Sequence, residues 1–339
     1  MSEAAETPLL SIIVPTHSRP TKLRNLLADL AATPLPPGAA EVLVVVDGPD
    51  DGPLACLRAL PPALPAVGLT QPHGGPAAAR NLALQRARGA WVLFLNDDAR
   101  VAPTCVPAHL ARIRAEPDAR RAYLGRFDFL PAVVNSAWRR LLAESSMLFF
   151  YNRMKPDQCY GYRHFWTCNI SVRADLLREV GAFRAELHDG LGELAMSFHE
   201  DIELGWRLQR AFALEVCFAP EIVAAHDHEL SPRDYFWREY RSGRAARAAR
   251  EVNRAFHDEV WPWVAEADQQ YDALAGVLGG QFKELFRELE CLRQRSAADL
   301  TRSEMQAQFI AHLPAKRAAF LLGYAGREFG EFWPDAEAT

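Results

Sequence analysis

Short unbroken apolar runs and apolar repeats every three to four residues take turns along the first two thirds of this 339-residue chain. Runs of the first kind read as strands buried on both faces, and the repeats read as helices with one buried face. Residues 9–14 form the first run, ending in Pro15-Thr16-His17-Ser18-Arg19-Pro20. Ser18 is placed to cap a helix and Pro20 to sit in its first turn. Leu23, Leu26, Leu27 and Leu30 then repeat at helical spacing until the proline-rich residues 33–38. A second buried strand, 41–46, ends at Asp47-Gly48. Strand, helix and strand in this order make a βαβ unit, and so predict a parallel sheet with a right-handed crossover.

A short helix is expected within residues 50–65 and a weak strand at 66–70. His73-Gly74-Gly75-Pro76 then turns the chain into a helix over 77–88, whose Ala79, Leu82, Ala83 and Ala87 allow close approach to a sheet. After Gly89, the run Trp91-Val92-Leu93-Phe94-Leu95 leads into Asn96-Asp97-Asp98. Further along, the pattern predicts a helix over 103–116, strands over 122–129 and 165–172, and a helix over 174–180. The intervening 131–162, rich in aromatics and arginine, reads as a substrate-covering loop. His199-Glu200-Asp201 opens a helix to residue 212, and short strands at 215–218 and 221–225 end in His226-Asp227-His228. Residues 233–335 look helical, which predicts a domain over 1–231 and a helical region over 232–339.

Composition narrows the function. The chain is 49% apolar, 24% charged and carries a net charge of −5, so nothing points to nucleic acid as a partner. Residues 1–6 lack the layout of a signal peptide, and no run of 18 apolar residues occurs. Six cysteines without a C-x-x-C pair argue against a zinc site or a disulfide framework. These features predict a reduced, soluble, cytoplasmic protein. The first strand is followed by no G-x-G-x-x-G, and there is no Walker A sequence, which sets aside NAD enzymes and P-loop kinases.

Open α/β sheets bind ligands beyond the carboxyl ends of their strands. An amide and two carboxylates at such a tip form a hard-oxygen cluster suited to Mg²⁺ or Mn²⁺ with a phosphorylated ligand, although a solvated turn has the same composition. Glu200 and Asp201 at a helix start suit a general base held ionised by backbone amides, or simply a capped helix.

Several stretches in order resemble the family-2 glycosyltransferases of the GT-A fold. They are Ser11-Ile12-Ile13-Val14-Pro15-Thr16, Val44-Val45-Val46-Asp47-Gly48, Ala79-Arg80-Asn81-Leu82-Ala83, and Phe94-Leu95-Asn96-Asp97-Asp98. Thr167-Cys168-Asn169-Ile170-Ser171 with Val180-Gly181-Ala182-Phe183, and Glu200-Asp201 with Leu204, Arg207 and Leu208, continue the match. The resemblance implies a Rossmann-like α/β fold, mostly parallel in its central sheet, with a helical C-terminal extension. It also implies inverting transfer of a sugar from a nucleotide-diphosphate donor, with a UDP-sugar favoured, to a hydroxyl acceptor that is a sugar, lipid-linked or a small molecule. Asp201 is then the base, with Glu200 as the alternative. Asp98 and His226 would hold Mn²⁺ or Mg²⁺, with His228 an equally placed rival of His226. Donor contacts fall to Pro15, Thr16, His17, Arg19, Asp47, Arg80, Asn96 and Asp97; Arg80 could instead pair with a core carboxylate. Trp166 and Asn169 lie on the acceptor side. The family usually has aspartate where Asn96 stands, which keeps open a non-catalytic nucleotide-sugar-binding protein of the same fold. The arginine- and aromatic-rich residues 235–250 admit three readings: a helix on the inner face of a membrane, an arginine reaching the donor phosphates, or a packing helix with a solvated arginine face. A homodimer interface in the last hundred residues is also open.

Overall fold

Among the described residues, nine strands of one sheet carry the architecture: β1 (Leu10–Thr16), β2 (Ala40–Asp47), β3 (Ala66–Gln71), β4 (Trp91–Leu95), β5 (Ala99–Val101), β6 (Arg121–Phe129), β7 (Cys159–Tyr160), β8 (Asn169–Arg173) and β9 (Glu215–His226). The computed structural model describes residues 7–59, 64–192 and 198–333; Met1 to Glu6, read above for a leader, lie outside them. The strand order is β3-β2-β1-β4-β8-β6-β9-β5, with β7 also on β9. β3, β2, β1 and β4 are mutually parallel, and β8 joins β4 antiparallel. The first four strands are linked by α1 (Pro20–Ala31), α2 (Asp51–Arg58) and α3 (Gly75–Arg86), as the βαβ pattern predicts. β1, β2 and β4 are buried along their whole length, which is why their sequences are mostly apolar. α4 (Cys105–Ala115), α6 (Ala174–Glu179) and α7 (Glu200–Phe212) complete this part, with α5 (Ala137–Glu144) inserted before α6.

Four local expectations change. Arg19, not Ser18, holds the N-cap position of α1, and Ser18 adopts φ +50°. The strand expected at 165–172 begins only at Asn169, because its partner β4 is five residues long and pairs from Trp91↔Arg173 to Leu95↔Asn169. The two short strands at 215–225 are one, β9, which runs through Pro220. β7 pairs with Val216 and Cys217 on one side of that proline and β5 pairs with Ala224 to His226 on the other, so its missing N–H falls between the two ladders. The expectation of unpaired cysteines also fails: Cys159 and Cys217 stand opposite each other on β7 and β9 and are disulfide-bonded.

The chain divides into two units. The first comprises Met1–Asp128, Met154–Ala185 and Glu200–Asp227; the second comprises Phe129–Arg153, Glu186–His199 and His228–Thr339. Apart from the end residue Phe129, the sheet belongs to the first. The second is helical: α5, α8 (Pro232–Val252), α9 (Arg254–Val260), α10 (Ala267–Gln294) and α11 (Arg302–Ala325). Its core gathers Trp138, Tyr235, Phe236, Phe286 and Leu321. α8 and α11 touch backbone to backbone at a glycine pair, where a Cβ on Gly243 would lie 2.0 Å from the Phe320 carbonyl oxygen and one on Gly323 1.9 Å from that of Tyr240. α8 is thus a packing helix whose Tyr235, Phe236 and Tyr240 are core residues. Its Arg241 is buried in an ion pair with Asp189 rather than solvated, and Arg244 donates to the Asp189 carbonyl at 2.9 Å. Among the described residues no helix is long and apolar enough to cross a membrane.

Candidate active site

The sheet turns from outward to inward construction at β1: the chain lays β2 and β3 on one side of it, then returns to place β4 on the other. The crevice at the carboxyl ends of β1 and β4 is the ligand position such sheets create. Thr16, Asp97 and Asp98 converge there. Thr16 Oγ1 donates to Asp97 Oδ2 at 2.8 Å. Arg19 spans both acids, with Nη2 2.7 Å from Asp97 Oδ1 and Nη1 2.9 Å from Asp98 Oδ2. Asp97 is almost wholly buried; burial and the neighbouring Asp98 charge push its carboxyl up to about 6, against the pull of Arg19 and Thr16.

The short strand β5, unforeseen in the sequence, completes this corner. It pairs Ala99 with His226, and Asp227 N donates to the Asp98 carbonyl at 2.9 Å. The register sets His226 Nε2 3.2 Å from Asp98 Oδ2. An octahedral ion with bonds of ~2.1 Å keeps adjacent donors ~3 Å apart, so a carboxylate and an imidazole at this separation fit one divalent cation. Mn²⁺ matches the mixed oxygen and nitrogen set better than Mg²⁺. His228, the other candidate ligand, belongs to the second unit.

Asp47, expected to contact a nucleotide base, is engaged inside the protein. Its Oδ1 accepts from Gln71 Nε2 and Gly74 N, each at 2.8 Å, and its Oδ2 from Gly75 N at 2.9 Å, with His73 Nδ1 also 2.9 Å away. A carboxylate offers about four lone-pair directions, and these four contacts use them. Gly74 and Gly75 open α3, so Asp47 caps that helix from a neighbouring strand, satisfying amides that have no partner within the helix. His17, beside it, places Nδ1 on the Asp47 carbonyl and its ring 4.5 Å from that of His73. Both rings keep solvent access at the end of β1 and β2. Pro15 is buried within β1, opposite Val45.

A second acidic stretch reaches the same crevice through Arg80. This buried guanidinium, on α3, is 2.9 Å from Glu200 Oε1 and 3.4 Å from Asn96 Oδ1. Arg80 therefore takes the core-pairing role, and Asn96 is oriented by it. Glu200 is buried and committed to its ion pair with Arg80. Asp201, partly exposed at the first turn of α7, accepts from Ile202 N at 2.8 Å and Thr167 N at 3.5 Å. Burial and the Glu200 charge raise its carboxyl to about 7, while Arg80 and the two amides pull it down.

Three supporting residues had no role assigned from the sequence. Glu203 is fully buried and chelates Arg207 through Nε and Nη2, and Arg207 Nη1 and Nη2 donate at 2.6 Å to the carbonyls of Val180 and Ala182 respectively. Asn81 clasps Phe183 by both its backbone groups at 2.9 Å. Together they fasten the turn at Gly181 and Ala182, where both residues have positive φ, against α3 and α7. Of the two acceptor-side residues, Trp166 is mostly buried, with its ring 5.5 Å from that of His164. Asn169 does not join the site. It is fully buried, accepting from His109 at 3.0 Å and donating to the Arg126 carbonyl at 2.9 Å.

Comparison with known proteins agrees with this geometry. The sequence profile of glycosyl transferase family 2 matches residues 11–181. Validoxylamine A glucosyltransferase of Streptomyces hygroscopicus subsp. limoneus is 28% identical over 231 residues, which is 60% of this chain and 48% of that protein. Pre-mycofactocin glycosyltransferase of Mycobacterium tuberculosis is 26% identical over 246 residues, covering 68% of this chain and 45% of that one. The chain spans about half the length of these curated relatives. Among solved structures, the mannosyltransferase PcManGT from Pyrobaculum calidifontis, in complex with GDP-Man and Mn²⁺, aligns with a TM-score of 0.54 at 18% identity, over 96% of this chain and 87% of that one.

Proposed function

Because the chain belongs to glycosyl transferase family 2 and has the GT-A fold, we propose that it is an inverting glycosyltransferase acting on a nucleotide-diphosphate sugar. The observation that carries this reading is the Arg80 bridge. One guanidinium touches Asn96, two residues before Asp98, and Glu200, one residue before Asp201. This contact supports a reading in which the diphosphate corner and the candidate base, about a hundred positions apart in the chain, serve one crevice.

In the proposed reaction the acceptor hydroxyl oxygen attacks the anomeric carbon from the face opposite the leaving group. The new C–O bond forms as the bond to the diphosphate oxygen breaks, and the nucleoside diphosphate departs with the electron pair. Asp201 takes the hydroxyl proton. Its raised proton affinity suits it to this task near neutral pH, whereas Arg80 holds Glu200 in an ion pair. Asp98 and His226 would hold Mn²⁺ or Mg²⁺, which supplies positive charge to the leaving diphosphate. Thr16 and His17 form the wall available to the base, with Asp47 and His73 behind it. Trp166, mostly buried, is the aromatic residue assigned to the acceptor side in this reading. A UDP-sugar is the first donor to test and GDP-Man, the ligand of the Pyrobaculum calidifontis neighbour, the second.

A thermal-shift series with nucleoside diphosphates, with and without Mn²⁺, tests donor recognition, since a ligand that binds the native state raises the melting temperature. UDP or GDP should shift it, and more so with the ion. Nucleotide binding with no breakdown of any donor sugar would favour a binding protein of the same fold. No shift with any nucleotide would overturn both readings.

A further inference from the structure

The turn that carries Arg19 breaks several local rules at once. Ser18 sits at φ +50°, a region that residues with a side chain seldom enter. Arg19 then occupies the N-cap of α1 without any side-chain capping bond, where short oxygen-bearing residues are favoured. A cation at this end of a helix also opposes the helix dipole. Such departures are tolerated where surrounding contacts over-determine them, and they gather at functional positions. Here the compensation lies beyond the guanidinium, in the two contacts of 2.7 and 2.9 Å to Asp97 and Asp98.

The pairing is unequal in burial. The Asp97 and Asp98 side chains are 0% and 6% exposed, but that of Arg19 is 45% exposed. Two fixed carboxylates are thus balanced by a cation that stands half in solvent on a strained turn. The other cationic side chains of the crevice have their own partners: Lys22 is 2.9 Å from Asp227, and Arg80 holds Glu200. We propose that Arg19 is an exchangeable counter-cation. It neutralises the Asp97–Asp98 pair while no divalent ion is bound, gives way when one enters, and then turns to the donor's diphosphate. The last step rests on the nucleotide-sugar reading; the first two concern the ion alone.

Competition of this kind lowers the metal affinity of the nucleotide-free protein. It also links metal and donor, because the diphosphate gives the displaced guanidinium a new anionic partner. The test is Mn²⁺ binding without nucleotide, followed by the electron paramagnetic resonance of unbound ion, for wild type, Arg19→Gln, Arg19→Lys and Lys22→Gln. Arg19→Gln should bind Mn²⁺ at least about tenfold more tightly than wild type, since it removes a positive charge from directly beside the ion. Arg19→Lys keeps the charge without the two-pronged contact and should fall between, and Lys22→Gln should stay near wild type. Affinity of Arg19→Gln equal to or weaker than wild type overturns the proposal, as does an equal gain in Lys22→Gln, which would indicate general electrostatics. If Arg19→Gln does not fold, Arg19→Lys against wild type decides by the same criterion. With saturating UDP, Mn²⁺ affinity should rise more in wild type than in Arg19→Gln. A wild type that binds Mn²⁺ but no nucleoside diphosphate would count against the nucleotide-sugar reading alone and leave the nucleotide-free comparison intact.

Discussion

Asn in place of Asp201 removes a charge that the native state holds reluctantly. The Asp201 carboxyl is raised from 3.8 to about 7, chiefly by burial and then by Glu200. Below the unfolded value both states are protonated and the group exerts no penalty. Between 3.8 and about 7 the unfolded state ionises while the folded state keeps its proton, so stability falls across that range and the full penalty remains above it. Three units correspond to roughly 4 kcal/mol at most, which partial solvent access reduces. Against this gain, the variant keeps the oxygen that accepts from Ile202 N but turns an amide toward Thr167 N, at a cost of about 1 kcal/mol. The expected result is a variant about 1–2 kcal/mol more stable than wild type at pH 8, with the difference vanishing or reversing near pH 5. Urea unfolding at both values measures it, with m compared between the proteins so that a change in cooperativity is recognised. Lower stability than wild type at pH 8, or the same gain at both values, would refute the reasoning.

The remaining predictions concern the frame and the cysteines. Asp47→Ala leaves the Gly74 and Gly75 amides and Gln71 without their acceptor and should lower stability by about 2–3 kcal/mol, read by thermal melting. Gly323→Ala drives a Cβ to 1.9 Å from the Tyr240 carbonyl oxygen and should cost about 3 kcal/mol or more in the helical unit, seen as an earlier loss of far-ultraviolet helix signal on heating. Thiol titration of the denatured, unreduced protein should count four reactive cysteines, namely Cys56, Cys105, Cys168 and Cys291, and six only after reduction.

What the sequence made legible was local. Leu23, Leu26, Leu27 and Leu30 announce α1 because a helix repeats its buried face within a few residues, and all four are indeed buried. The runs 9–14, 41–46 and 91–95 announce β1, β2 and β4 because strands covered on both faces are mostly apolar, and the two polar residues within them, Ser11 and Glu41, are hydrogen-bonded to each other at 2.7 Å. What stayed hidden depends on partners distant in the chain. Nothing near Arg80 marks its pairing with Glu200, 120 positions away. Asp47 has the composition of a turn or a ligand contact; its capping of α3 requires knowing that Gly74 and Gly75 return to the end of β2. β5 has only three residues, and its strand character comes from β9. The Cys159–Cys217 pair spans 58 positions and follows from strand register, not from spacing. Arg19 was expected as a donor contact, but its hold on both acids, from a turn where Ser18 has positive φ, lay beyond the sequence.

The account stands on Asp201 serving as the base in the crevice that Asp98 defines. Its most direct test is donor-sugar turnover in wild type and Asp201→Asn at pH 8 with Mn²⁺, alongside the nucleoside diphosphate affinity of each. The account predicts a loss of about 10²–10⁴-fold in kcat with nucleotide affinity unchanged. Turnover within a few-fold of wild type would contradict it.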